Sequence, residues 1–579
     1  MKEERITSDI LIIGGGGAAA LAALAAKRLG ANVTIVSKEA SLTGGATIMS
    51  AGGTSAVFSP NDSPEVFYND IMRAGGNLNN SKLARILAER GTRALVNLEQ
   101  YDFILDRKNA DSFRMIKQGE GHSWPRGYLD RREALGFCHA LDKALIRSEV
   151  AFFPEIVIVE LLTNHNQVVG GLGLSLVTGG YIVFNAKAVI LATGGLGALY
   201  KITTNSDFLT GDGYAMAWDC GAELIDMEMV QFIPLAFPYP NARKGKLIGM
   251  CSHFGDKVKL YNGLGERYME KYDPQRMEFT TRDIAARANF SEIKEGRGTE
   301  NGAIIVDARE HDPNILLRFQ TSVPYIYAMF EEVFGDRAAN WQEPFEAIPS
   351  QHFFMGGLRI DENCKTTIPG LFAVGEVSGG VHGANRLSGC ALTEIFVFGD
   401  LVGECAALWA KKEKLIAPNA TEVEDEIDQL ERVFSQKPRG GIRPFELKQA
   451  IKDIMWDHLG PVRDEKGIAS ALDSLKTIHR NDLPTLTLGS YNVKYNRERV
   501  EAVEISLMVK TALLIAHAAL ARRESRGSHY RTDFPRSDDK EWLENVVLKK
   551  NKTGELDVSY KHLVSGSSPD EVGDTCERN

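Results

Sequence analysis

Glycines and cations carry the first chemical signals in this 579-residue chain. Gly14 to Gly17 are four consecutive glycines, and Gly14, Gly16 and Ala19 follow the pattern G-x-G-x-x-A. In such a turn the first glycine permits a tight reversal and the second removes a Cβ from the path of a pyrophosphate, while the N–H groups opening the next helix face the anion. Thr193-Gly194-Gly195 and Gly375-Glu376 place further glycine turns far along the chain. Three polar residues stand near such segments or between them: Arg282 in Thr-Arg-Asp, His352 beside Phe353 and Phe354, and Arg386 inside His382-Gly-Ala-Asn-Arg-Leu387. Taken singly, Arg282 reads as an ordinary surface charge and His352 as a packing residue. Arg386 is harder to set aside, because glycine-bearing strands flank it.

The elements that must position these groups follow from apolar patterning. Asp9-Ile-Leu-Ile-Ile13, Ala18 to Leu29 and Ala31-Asn-Val-Thr-Ile-Val36 predict a strand, a helix and a second strand, a βαβ unit. A continuous apolar strand is what a parallel sheet covered on both faces demands, and the alanine-rich helix is expected to lie close against that sheet. Ala188-Val-Ile-Leu-Ala192 runs into Thr193, and Gly370-Leu-Phe-Ala-Val374 runs into Gly375. Three strand ends opening into glycine build one long, backbone-lined crevice of the kind an extended dinucleotide such as FAD requires. The second strand ends in Ser37-Lys38-Glu39, without an acid directly at its tip, which disfavours a nicotinamide site and leaves FAD preferred.

Composition excludes other classes. Apolar residues make up 44% and charged residues 25%, an ordinary globular balance, and 67 basic against 77 acidic residues give a net charge of -10. No overall positive field exists for nucleic acid. Seven cysteines without a C-x-x-C pair encode neither a disulfide framework nor a self-contained iron–sulfur or zinc cluster, so no metal site is expected and a reducing, cytoplasmic setting fits. Leu11 to Ala26 is the one stretch singled out as apolar enough to test as a membrane segment. It is shorter than the roughly 20 residues a span requires and begins in glycines. Membrane contact is therefore expected only through a partner.

The expected organisation is α/β: a doubly wound FAD-binding domain in two parts, 1–237 and 350–420, an inserted α+β capping domain at 238–349, a helical domain at 421–535 and a C-terminal extension at 536–579. The capping boundary rests on the loss of the glycine-turn pattern and on the turn signals Asn262-Gly263, Asp273-Pro274 and Asp312-Pro313. The helical domain rests on apolar stripes such as Val423, Ile427, Leu430 and Phe434, with a Pro/Gly linker at 435–444. Residues from about 564 read as a frayed end.

Eight ordered segments together resemble the flavoprotein subunit of the succinate dehydrogenase/fumarate reductase family, whose relatives include L-aspartate oxidase and the adenylylsulfate reductase α subunit. They are Ser41–Val57, Ala192–Gly195, Thr210–Gly213, Asp226–Gln231, Thr281–Asp283, His352–Gly357, Val381–Leu392 and Arg522–Asp533. The resemblance implies FAD contacts at Gly14, Gly16, Gly17, Ser37, Lys38, Gly45, Thr47, Gly52, Gly53, Thr193, Gly194, Asp212, Glu376 and Leu392. It implies that Arg282 protonates the substrate while His352 and Arg386 clamp a carboxylate. Where some members link flavin covalently to a histidine, this chain has Ala46, so noncovalent FAD is expected. Arg522 to Asp533 is a charge run of the sort that normally faces solvent; the resemblance implies that it packs back near an iron–sulfur subunit, the expected electron partner.

The departures point to the substrate. Fumarate-type members carry His-Pro-Thr where this chain has Ile233-Pro234-Leu235, and their proton-relaying glutamate and a nearby arginine fall near Cys251 and Phe254. Burying a second carboxylate against Ile233 and Leu235 would cost several kcal/mol. The expectation is a small carboxylic acid held at one end, with a less polar or bulkier far end. Trp124 in Gly121-His-Ser-Trp-Pro-Arg126 is a candidate pocket wall, and His253, Arg126 or Lys257 are candidate replacements for the lost polar groups. The alternatives are a true fumarate reductase or succinate dehydrogenase with a rearranged second clamp, an L-aspartate oxidase or adenylylsulfate reductase, and a flavin module that only passes electrons.

Overall fold

A computed structural model describes residues 4–103, 105, 107–109, 112–113, 115–116, 121–128, 132–436 and 441–563. The expected frayed end from 564 lies outside the described residues, as does part of the 435–444 linker.

The predicted βαβ unit is present as β1 (Glu4–Ile13), α1 (Gly17–Arg28) and β2 (Val33–Val36). Ile10, Leu11 and Ile12 are completely buried, so both faces of β1 are covered, as its unbroken apolar run requires. β1 pairs in parallel with β2 on one edge and with β3 (Tyr181–Leu191) on the other. The end of β3 also pairs in parallel with Leu371–Ala373. The three strand ends that open into glycine therefore lie side by side and point the same way, which creates the crevice. Gly14, at φ +122°, is obligatory here: a Cβ would stand 2.1 Å from the carbonyl oxygen of Ala192. The alanines of α1, which packs on β1 and β2, also serve a second close approach. They admit the helix Cys390–Ala410, where a Cβ on Gly403 would stand 2.2 Å from the carbonyl oxygen of Ala22.

The inserted domain has its own antiparallel sheet and its own aromatic core, centred on Phe254, Phe330, Trp341 and Phe345. Its strands include β4 (Val230–Ala236) and β5 (Phe345–Phe354), which pair from Val230 opposite Phe354 to Ala236 opposite Ile348. Residues 238 and 349 thus mark no break in this sheet. The cap grows out of the cofactor domain on two continuous strands, and between them α2 (Arg282–Glu292) packs on β4.

The helical domain contains Ala420–Phe434, Pro444–His458, Glu465–Thr477 and Arg497–Ala521. Arg497–Ala521 is long and apolar enough to pass a length-and-composition test for a membrane span, a candidate the sequence reading did not single out beside Leu11 to Ala26. Its apolar window is 72% buried within the protein. The C-terminal extension is an integral part of the fold. Glu544–Lys550 and Leu556–His562 form a hairpin that joins Leu224–Ile225 and Gly357–Arg359 in a third sheet.

Candidate active site

A cavity of about 850 Å³ runs from the glycine turn of β1 to the inner face of the cap. All but one of the predicted FAD contacts line it; the exception is Gly52, packed against the backbone of Glu133. The α1 N-terminus has no side-chain cap of its own, but the Gly17 N–H donates to Thr47 Oγ1 at 3.1 Å. Lys38 pairs with Asp212 at 2.8 Å. Thr193 Oγ1 is buried without a hydrogen-bond partner among the described residues. Glu376 accepts the Phe354 N–H at 3.0 Å, and burial pushes its carboxyl up to about 8. A helix N-terminus beside glycines suits a pyrophosphate, and an orphaned hydroxyl with two carboxylates suits ribose and ribityl hydroxyls. These residues fit FAD.

The other end of the cavity is cationic. Arg282 is the first residue of α2, and its guanidinium donates to Gln231 Oε1 at 3.2 Å. Gln231 in turn donates through Nε2 to Asn385 Oδ1 at 2.7 Å and to the Arg386 carbonyl at 3.0 Å. Asn385 donates to Asp283 Oδ1 at 3.0 Å. One glutamine on β4 and one asparagine from the 382–387 loop thereby join the cap helix to the loop bearing Arg386. The Arg386 guanidinium lies 4.7 Å from the ring centre of Phe353 and donates to the Leu387 carbonyl at 3.2 Å. Its Nε is buried without a partner, and it makes no ion pair among the described residues. Burial and the neighbouring Arg282 lower its pKa. A bound carboxylate would relieve both effects.

Three histidines complete this end as neutral groups. His352 pairs with Thr204 Oγ1 at 2.9 Å and is held well below the ordinary imidazole value by enclosure, Arg386 and Arg282. His253, open to the cavity, accepts the Met250 N–H at 3.3 Å, and desolvation with Arg282 nearby lowers it from the ordinary imidazole value. His122 donates through Nε2 to the Ser388 carbonyl at 3.0 Å and faces Arg126 through Nδ1 at 3.3 Å, so its tautomer is fixed. Enclosure and the two arginines 126 and 282 lower it to about 4.

Arg282, His352, Arg386, Ile233 and His253 line this cavity together. Leu235 lies instead in the buried core of the cap: regular alternation would put it on the face of Ile233, but the pairing of β4 with β5 shifts register between Ile233 and Ala236. Trp124 is 37% exposed and off the cavity. Arg126 is wholly buried and spent on Asp62, at 2.6 and 2.7 Å, and on Asp70, at 2.6 Å. Lys257 is exposed and does not line the cavity. The pocket residue of the Gly121–Arg126 segment is His122, which sequence reasoning passed over for its bulkier neighbours. Gln231, Asn385 and Met250 were also missed, since none has a residue type that signals chemistry by itself.

Comparison with known proteins settles the family. A model described as "FAD binding domain" matches residues 9–392, and one described as "Fumarate reductase flavoprotein C-term" matches 448–571. This chain belongs to the fumarate reductase/succinate dehydrogenase flavoprotein family. It is 38% identical over 557 residues to a subunit of the fumarate reductase (CoM/CoB) of Methanothermobacter marburgensis, covering 95% of this chain and 98% of that one. It is 39% identical to an uncharacterized FAD-dependent oxidoreductase of Methanocaldococcus jannaschii, covering 94% and 97%. Among solved structures, the E. coli quinol fumarate reductase superposes with a TM-score of 0.88 at 26% identity, covering 98% of this chain and 99% of that one. The flavoprotein is thus an FAD-dependent oxidoreductase with the expected α/β architecture and helical C-terminal part.

Proposed function

We propose that this flavoprotein interconverts an enoate and its saturated acid, gripping one carboxylate and holding the rest of the substrate against an apolar wall. The observation that carries the proposal is Arg386: a buried guanidinium, unpaired among the described residues, that shares a cavity with Arg282 and with Ile233 where a fumarate-type clamp would need a polar group. Bound FAD supplies hydride exchange at flavin N5. Arg386 and His352 bind and orient the carboxylate, the first through a charged fork and the second as a neutral hydrogen-bonding ring. Arg282 holds the proton delivered to the neighbouring carbon, with one of its N–H groups aimed by Gln231. The cap excludes water, and Ile233, Met250 and Leu247 provide the apolar wall.

FAD is proposed to be noncovalent, because the cavity-lining position of the linking histidine is Ala46. This favours reduction of an acceptor as the working direction. Acid-denatured protein should be colourless, with all flavin in the supernatant; yellow colour on the polypeptide would refute it. An iron–sulfur subunit is the proposed electron partner and the route to any membrane, supported by the M. marburgensis relative being one component of a larger enzyme by name.

A second reading is a true fumarate reductase with a rearranged clamp, favoured by that relative's name and by His253 lining the cavity. One screen separates the two. The FAD-loaded protein is reduced anaerobically and mixed with fumarate and with alkyl- and aryl-substituted monocarboxylic enoates. Faster reoxidation by a substituted enoate is expected, and rapid reoxidation by fumarate alone would overturn the apolar-wall proposal. Peroxide formed from aspartate in air would establish an aspartate oxidase instead.

A further inference from the structure

In dinucleotide-binding βαβ units the tip of the second strand lies at the adenosine ribose, usually with a carboxylate to accept its hydroxyls. Here the tip is Ser37-Lys38-Glu39. An ammonium has three donors and no acceptor capacity. Three protein oxygens surround that of Lys38: Thr210 Oγ1 at 2.6 Å, Asp212 Oδ2 at 2.8 Å and Glu504 Oε1 at 2.9 Å. Lys38 is thus fully engaged by the protein although it lines the cavity. Asp212, which also lines the cavity, accepts from Thr210 through Oδ1 at 2.6 Å and from Lys38 through Oδ2. Each of its oxygens keeps a second lone pair for a ligand hydroxyl.

Glu504 comes from the helical domain, 466 residues from Lys38 in sequence, on the helix Arg497–Ala521. It is completely buried and does not line the cavity. Its Oε2 has no hydrogen-bond partner among the described residues; Arg497 lies 3.8 Å and Lys448 4.0 Å from it. Glu504 can therefore reach a ligand only through Lys38. We propose that Glu504 is a positioning residue of the cofactor site: it holds Lys38 against the wall, and Lys38 fixes Asp212 as the acceptor for hydroxyls of the adenosine half of FAD. The C-terminal helical domain thereby completes the nucleotide site of the N-terminal domain.

The test uses full-length protein stripped of flavin and titrated separately with FAD, ADP and FMN, with Kd as the readout. Glu504→Gln is expected to weaken FAD and ADP by about tenfold, the scale of one charged hydrogen bond, and to leave FMN within about twofold. In a Lys38→Met background, itself weak for ADP, the Glu504→Gln change is expected to add nothing. Equal losses for ADP and FMN would mark general damage and overturn the proposal. So would an unchanged ADP affinity, or an undiminished Glu504→Gln effect beside Lys38→Met. Should Glu504→Gln fail to fold, Glu504→Asp, which keeps the charge but shortens its reach, is expected to lose ADP affinity several-fold with FMN unchanged; wild-type ADP affinity in that variant would refute the mechanism.

Discussion

The two ends of the cavity solve opposite electrostatic problems. At the nucleotide end Lys38 is balanced by Asp212 and Glu504 before any ligand arrives. At the cap end two arginines face three neutral histidines, and Arg386 has no carboxylate partner among the described residues. A balanced end keeps its geometry whether or not it is filled and suits uncharged hydroxyls. A buried guanidinium such as Arg386, without an ion-pair partner among the described residues, is unfavourable until an anion enters, so part of the protein's folding energy is held there as affinity for an acid. The difference separates a resident cofactor from an exchanging substrate.

The largest expected effect strikes the cationic end. Arg282→Lys removes the planar donor that Gln231 aims, and kcat should fall by roughly 10²–10⁴-fold with FAD content unchanged, measured by anaerobic single-turnover reoxidation. Retention of more than about a tenth of the wild-type rate, with that range as the reference, would end the assignment of Arg282 as proton donor. Ile233→His tests the apolar wall. Returning a polar group to that position should raise the kcat/KM ratio of fumarate over a monocarboxylic enoate by about tenfold, the scale of one well-placed polar contact. A ratio that does not move would mean that the far end of the substrate lies elsewhere in the cap.

How much of this was legible in the sequence depended on distance along the chain. The βαβ unit, the three glycine-ending strands and the helices after 420 were readable because each signal is local: an apolar run, a turn residue or a stripe of period 3.6. The extension after 536 was not, because its strand Glu544–Lys550 finds its partner at Leu224–Ile225, some 320 residues earlier. The arginines of the 522–533 run look like solvated charges for the same reason. Arg522 is buried against Glu228, Glu524 and Asp226, and two of those three acids come from a remote segment. Arg126 misled in the same way, since Asp62 and Asp70 meet it only after folding. In the site, arginine and histidine could be recognised by type. Gln231, Asn385 and Glu504 act by joining or aiming other residues, and residue type carries no trace of that.

The smallest expected effect concerns the carboxylate that lacks what Asp212 has. Asp212 is paired with Lys38, whereas the hydrogen bond to Glu376 comes from a neutral backbone N–H, and burial lifts Glu376 to about 8. An unfolded chain ionises the same group near its ordinary value of about 4.3. Between those two values the unfolded state has lost a proton that the folded state still holds, so this group's contribution to stability falls as pH rises through the window. Glutamine can accept the same Phe354 N–H and never ionises. In flavin-free protein, Glu376→Gln should match wild type in thermal stability near pH 4 and exceed it by pH 8, by at least about 1 kcal/mol. Loading with FAD should narrow that gap, because ligand hydroxyls would favour the ionised carboxylate in wild type. A stability difference that stays flat from pH 4 to pH 8 would show that Glu376 is already ionised in the folded protein and would erase this contrast.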